Sequence, residues 1–271
     1  MFKFSFPRTI FFLGGNGNIY FQLLYMTKKY STYNCSDALL FPLFRRLLGH
    51  TDHGDSYKSI FDIRLSRSFF LLPLVFLDLI LAKVFSRSLI TTFDINFIKC
   101  KPVFLDLLFV GYFQGEVSFS DYIQGYVPTH VPTLDGSKWD AVIHVRGGDF
   151  LSGGIATEAV FYRRVVKHLR LEYGYQSFLV VTDDVDYAKE VFNSDEGIEY
   201  RSGNVLDDLS LLSSATTLVT SFSTFSLFSA AISESIHTLI VHPQLQNTFF
   251  DFKNKKGVNV MVFSEEETVG A

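Results

Sequence analysis

The chain has little cysteine, little charge and no apolar run long enough to cross a membrane, and each shortage closes off a class of function. Only two cysteines occur in 271 residues. Cys35 and Cys100 stand far apart, outside any CxxC or Cys/His cluster, so no zinc site or disulfide framework is readable. Charged residues make up 19% of the chain and the net charge is −4. That balance argues against a nonspecific nucleic-acid binder, and no nucleic-acid partner is expected. The start, Met1–Arg8, is too short and too interrupted for a signal or anchor, so Asn34-Cys35-Ser36 reads as a chance glycosylation sequon. The most apolar stretch, Phe69–Phe85, falls short of the roughly 20 residues a span needs and carries Pro73, Asp78 and Lys83. A core helix fits it, as does an amphipathic segment at a bilayer surface with Arg64, Arg67, Lys83 and Arg87 at its flanks.

What is abundant is apolar surface, 48% of residues with 30 phenylalanines. A chain of this length and composition can bury one large core or two of Rossmann size, and it does not read as disordered. Thr9–Leu13 is an apolar strand that runs into Gly14-Gly15-Asn16-Gly17-Asn18, followed by a helical pattern at Ile19, Phe21, Leu23 and Leu24. Strand, glycine turn and helix open an α/β unit, and the helix N-terminus behind such a turn favours an anion. The glycine spacing is not that of the dinucleotide fingerprint. From about Tyr30 to Ser120 the chain is rich in Phe and Leu with few clear strands. Leu39, Leu40, Leu43, Leu47 and Leu48 suit one helix face, and Gly111-Tyr112-Phe113-Gln114 suits a strand tip. His50, Asp52, His53 and Asp55 fit no standard metal spacing and read as a polar loop.

Pro128, Pro132, Asp135, Gly136 and Ser137 form a turn-rich stretch, which divides the chain into an N-terminal domain, 1–135, and a C-terminal domain, 136–271. Beyond it strands and helices alternate: strands at Val142–Val145, Ser177–Val181, Ile198–Tyr200, Thr217–Thr220 and Thr238–Val241, helices at Glu158–Glu172, Val185–Phe192, Leu206–Ser214 and Thr224–Ser233. This alternation specifies a parallel sheet covered on both faces, with ligands bound beyond the carboxyl ends of the strands. Polar residues fall at those ends. The first strand leads into His144, Arg146, Gly147, Gly148 and Asp149. The second leads into Thr182, Asp183 and Asp184, and the fourth into Ser221, Ser223, Thr224 and Phe225. Arg146 offers a planar fork of donors suited to phosphate, although an Arg146–Asp149 ion pair would look the same in sequence. Asp183 or Asp184 could equally cap the next helix, and Ser223 its own.

In order and spacing these stretches resemble glycosyltransferase family 11, the α-1,2-fucosyltransferases. Gly14–Gln22 is similar to the family's GGLGNQMFQ opening and His144–Phe150 to its HxRRGDY. Phe178–Asp184 is similar to its strand ending in SDD. Asp208 with Leu211-Leu212-Ser213, and then Ser221–Phe228, resemble its D..LMS block and NSTFSWW. The chain departs at Gly147, where the family has a second arginine, and at Phe222, Leu227 and Phe228. The resemblance implies a GT-B-like α/β fold of two Rossmann-type domains with a nucleotide-sugar site in the cleft between them. It also implies inverting transfer of fucose from GDP-fucose to the 2-hydroxyl of a terminal galactose, with no cofactor and no metal. Donor contacts are then expected at Gly14, Gly15, Gly17, Asn18, His144, Arg146, Asp183, Asp184, Ser223, Thr224 and Phe225, with Arg146 and Asp149 in the chemistry. The alternatives are another linkage or nucleotide sugar, or a noncatalytic relative. The expected setting is cytoplasmic, with peripheral contact at the inner membrane where polysaccharide units such as O-antigen repeats are built.

Overall fold

A computed structural model describes residues 8–11, 16–30, 33–36, 72–88, 91–95, 98–100, 102, 108–111, 134–193, 195–246 and 257–263. The chain divides into two compact units, the second of which holds Thr129–Ala271.

In the first unit the elements in chain order are β1 (Thr9–Phe11), α1 (Asn16–Lys29), β2 (Asn34–Ser36), α2 (Leu72–Phe85), β3 (Thr91–Ile95), β4 (Ile98–Cys100) and β5 (Leu108–Gly111). The strands form one sheet in the order β2-β1-β5-β3-β4, parallel except for the antiparallel β3–β4 pair. Four of these strands, β2 to β5, fall in the stretch that read as poor in strands. β2, β3 and β4 are short and interrupted by polar residues, so no apolar run announces them, although Thr91, Thr92 and Ile95 have the β-branching that suits a pleated surface. Strand β5 at Leu108–Gly111 reaches the first residue of the strand expected at Gly111–Gln114, and the rest of that expectation lies outside the described residues. The leucine helix around Leu39–Leu48 and the histidines at 50 and 53 lie outside the described residues.

Helix α1 begins at Asn16, so Gly17 and Asn18 sit in its first turn and not in a preceding loop. Ile19, Tyr20, Leu23, Leu24 and Met26 are all buried. At roughly 1.5–3 kcal/mol for each large apolar side chain, that burial outweighs the cost of about 1 kcal/mol for a helical glycine.

The second unit continues with β6 (Ala141–Val145), α3 (Gly148–Ser152), α4 (Ala159–Tyr173), β7 (Phe178–Thr182), α5 (Val185–Phe192), β8 (Ile198–Arg201), α6 (Val205–Ser213), β9 (Thr217–Val219), α7 (Thr224–Ile232), β10 (Thr238–Val241), α8 (Pro243–Gln246) and β11 (Asn259–Val262). Strands β6, β7 and β9 are buried along their whole length, as the continuous apolar runs require. Helix α4 turns Phe161, Tyr162, Val165, Val166 and Leu169 inward at helical spacing, and ends where Gly174 takes φ 70° and returns its N–H to Arg170 and Leu169. Side-chain caps start α5, where Asp184 accepts from Tyr187, and α6, where Asn204 accepts from Leu206 and Asp207.

All six strands are parallel, in the order β11-β10-β9-β6-β7-β8. The chain builds outward from β6 to β8, crosses back to lay β9 on the other side of β6, and builds outward again. The direction of winding reverses between β6 and β9, and a doubly wound sheet opens a crevice at that switch point. The turn at Asp135–Ser137, expected as part of a linker, is bonded into this unit: Leu134 N–H donates to Ser210 Oγ and Gly136 N–H to Ser214 Oγ, each at 2.8 Å.

Candidate functional site

The switch point is bridged by one hydrogen bond. His144, near the end of β6, holds Nδ1 2.6 Å from Ser221 Oγ beyond β9. Both residues are buried. Burial, and secondarily the charge of Arg146, lowers the His144 pKa from 6.5 to about 3, so the ring is neutral at physiological pH and serves as a hydrogen-bonding post. Its other neighbour is the ring of Phe225, 5.8 Å away.

Arg146 follows β6 and points the other way, toward β7. Its Nη1 lies 2.9 Å from Asp183 Oδ2, and its guanidinium carbon stands 5.3 Å from the centre of the Phe150 ring. The other Asp183 oxygen accepts the Gly147 N–H at 2.8 Å. Asp183 therefore orients Arg146 and pins the turn that follows it. Asp149 lies on α3, three residues after Arg146; its side chain is outside what is described.

The two glycines have steric reasons. A Cβ on Gly147 would come 2.6 Å from Cβ of Asp184, and Gly148 has φ +43° with Asp183 Oδ2 2.9 Å from where its Cβ would be. The arginine expected by family pattern at position 147 has no room here.

Asp184 and Ser223 both act as caps. Asp184 Oδ1 accepts the Tyr187 N–H at 3.0 Å, and Ser223 Oγ accepts the Phe225 N–H at 3.2 Å. Ser223 places the first turn of α7 at the switch point, with Thr224 as its first residue, where the helix dipole and N–H groups favour an anion. Thus His144, Arg146, Asp183, Asp184, Ser223, Thr224 and Phe225 gather around the carboxyl ends of β6, β7 and β9. Gly17 and Asn18 belong to the first unit's α1, and Gly14 and Gly15 lie outside the described residues.

Three residues that the sequence did not single out, Thr157, Tyr187 and Tyr162, join this group, together with Asp208 of the D..LMS-like block. Thr157 Oγ1 accepts the Phe222 N–H at 2.7 Å, and the Tyr187 hydroxyl donates to Thr157 O at 3.4 Å. The Tyr162 hydroxyl, wholly buried, lies beside Thr157 and Ser221 without reaching hydrogen-bond geometry with either. Asp208 in the first turn of α6 has its pKa raised from 3.8 to about 6, chiefly by burial, with Asp207 and Asp183 adding to the rise and Gly203 and Arg201 opposing it. Its Oδ1 is buried without a hydrogen-bond partner. Asp208 stood in a family-like block, and a carboxylate in the first turn after a strand was the available signal.

Among the described residues no group of His, Cys, Asp and Glu is arranged to hold a metal ion. A depression of about 490 Å³ bordered by Arg163, Lys167, Phe192 and Asp195 is lined by none of the residues gathered at the strand ends.

A six-stranded parallel sheet with polar strand ends at its switch point defines a doubly wound α/β domain with a ligand crevice. Residues 133–261, which include the strands β6 to β10 of this sheet, match the family model of glycosyl transferase family 11. The resemblance read from the motifs therefore holds over residues 133–261, and the match does not extend to the N-terminal glycine motif. No curated protein matches the chain. Among solved structures, one of POFUT1 in complex with GDP-fucose is similar at 16% identity and TM-score 0.27, over 37% of this chain and 40% of that one. Another, of POFUT1 in complex with GDP, is similar at 13% identity and TM-score 0.44, over 87% of this chain and 98% of that one.

Proposed function

We propose that this protein is an inverting fucosyltransferase that moves fucose from GDP-fucose to the 2-hydroxyl of a galactose-terminated glycan. The observation that carries this reading is Arg146, held by Asp183 at the end of β6, one strand from the capped N-terminus of α7. Transfer at an anomeric carbon requires a leaving diphosphate to be held as its charge grows. The Arg146 fork meets that charge from one side and the first turn of α7 from the other. The acceptor oxygen forms its bond to the anomeric carbon as the bond to GDP breaks, and the hydroxyl proton passes to a carboxylate. We assign that role to Asp149, since Asp184 already accepts the Tyr187 N–H through Oδ1. No step calls for a metal.

Arg146→Ala is expected to lower donor-dependent transfer about 10²- to 10³-fold while the protein stays folded, and Arg146→Lys to recover little of it because the fork is lost. Release of GDP from GDP-fucose in the presence of a galactoside reads this directly. Near-normal turnover by the alanine variant would sink the assignment. A thermal-shift panel of nucleotide sugars identifies the donor, since the bound one stabilises the native state.

The setting proposed is the surface of an anionic bilayer. No described helix is long and apolar enough to cross a membrane. Helix α2 buries Val75, Asp78 and Ala82 on one side, yet on the other leaves Leu77 46%, Ile80 55%, Val84 64% and Phe85 65% exposed. Its exposed charges nearby, Lys83 and Arg87, are both cationic, as an interfacial segment favours. The protein should sediment with phosphatidylglycerol vesicles and less with phosphatidylcholine; sedimentation with neither would remove the membrane from the proposal.

A further inference from the structure

The buried polar contacts around Thr157 join two parts of the site that the reaction as described uses separately. Thr157 lies in the segment between α3 and α4, one residue before Glu158, the residue that precedes α4. It is 4% exposed. Its hydroxyl oxygen accepts the Phe222 N–H at 2.7 Å, across 65 positions of sequence, and its carbonyl accepts from Tyr187 on α5. Phe222 stands between Ser221, which holds His144, and Ser223, which caps α7. Tyr187 is the residue whose N–H is capped by Asp184, next in sequence to the Asp183 that orients Arg146. One threonine therefore links the turn carrying the α7 N-terminus to the loops that carry Arg146 and Asp183. The turn is also held by the His144–Ser221 bond and by local bonds such as Ser223 N–H to Ser221 O and Leu227 N–H to Ser223 O, and the Thr157 bond ties it to the segment before α4.

We propose that Thr157 is a positioning residue: its hydroxyl fixes the Phe222 N–H and so sets the first turn of α7 at the distance from Arg146 that a nucleotide diphosphate requires. This rests on the reading that GDP is held between Arg146 and α7. Replacing the hydroxyl by a methyl of the same shape takes the 2.7 Å acceptor away from the part-buried Phe222 N–H, and the turn relaxes toward water.

The test compares Thr157→Val with Thr157→Ser by two measurements. The first is amide hydrogen exchange of the 218–226 segment in the full chain without nucleotide. Thr157→Val should speed exchange there about tenfold or more, and Thr157→Ser should keep the native protection. The second is GDP binding by calorimetry, where the valine variant should weaken the dissociation constant about tenfold and the serine variant should restore it. In turnover the donor KM should rise more than kcat falls. Unchanged exchange in Thr157→Val, or an equal loss in Thr157→Ser, overturns the proposal. Altered exchange with native GDP affinity overturns it as well, because the turn would then move without consequence for the ligand. If the wild-type chain binds no GDP, the nucleotide reading and the positioning role resting on it both fail, while the exchange result still decides whether Thr157 holds the turn.

Discussion

The two sides of the β6 end are built on opposite principles. Toward β9 the contacts are neutral and buried or part-buried: His144 to Ser221, Thr157 to Phe222, Ser223 to the start of α7. Toward β7 they are charged and partly open to solvent, with the Arg146 and Asp183 side chains 23% and 30% exposed and Asp208 close enough to feel Asp183. A buried neutral hydrogen bond is costly to leave unmade and fixes geometry. A partly exposed ion pair contributes little to stability and can exchange its partner for a ligand. The hydroxyl side therefore sets the shape of the crevice, and the charged side is where a diphosphate can replace existing contacts. If so, the β9 side should govern stability and the β7 side should govern chemistry, with opposite responses to pH.

The largest expected effect on stability comes from the hydroxyl side. His144→Ala removes a buried ring and leaves Ser221 without its partner, and should cost about 2–4 kcal/mol in denaturant unfolding. The pH response is sharper. The folded state keeps His144 neutral down to about pH 3, while the unfolded chain protonates it near 6.5. Between those values the unfolded state binds the extra proton, so stability is full above pH 6.5 and falls as pH drops, by up to about 1.4 kcal/mol per pH unit. His144→Gln keeps a neutral hydrogen-bonding group and should flatten that acid limb. An acid limb as steep in the glutamine variant as in the wild type would show that the hydroxyl side does not set the acid sensitivity.

The same contrast decides what could be read in the sequence. Strand β6 was legible because an apolar run stops at a charged and glycine-rich turn, and the alternation that followed predicted the other parallel strands of the second unit to within a residue or two; only β11 at the edge was missed. The positions of His144, Arg146, Asp183 and Ser223 at strand ends followed from that alternation. Their partners did not. Whether Asp184 or Asp183 capped a helix depended on which carboxylate faced Tyr187, and Thr157 gives no local signal because its contact is 65 residues away. Gly147 looked like a lost charge; Cβ of Asp184 shows that the position is closed to a side chain. In the first unit, strands of three to five residues with polar faces carry too little periodicity to be distinguished from loop.

The smallest effect, and the one that most directly tests the contrast, belongs to Asp208 on the charged side. Its pKa is raised from 3.8 to about 6, so in that interval the folded state holds a proton that the unfolded state has released. Stability from this group is therefore greatest below about pH 3.8 and is lost as pH rises through 6, the reverse of His144. Asp208→Asn should leave stability near pH 4 unchanged and raise it at pH 7.5, by less than about 2 kcal/mol once the partial exposure of the carboxylate is allowed for. Denaturant midpoints at the two pH values measure it. A gain only at the higher pH would mean that the site keeps a carboxylate with one oxygen short of a donor at a cost to the fold, as expected of a group that meets a further hydrogen-bond donor on a ligand. An equal loss at both pH values would mean that Asp208 is satisfied within the protein, and the division between a shaping side and a ligand-facing side would then fail at the residue where it is easiest to see.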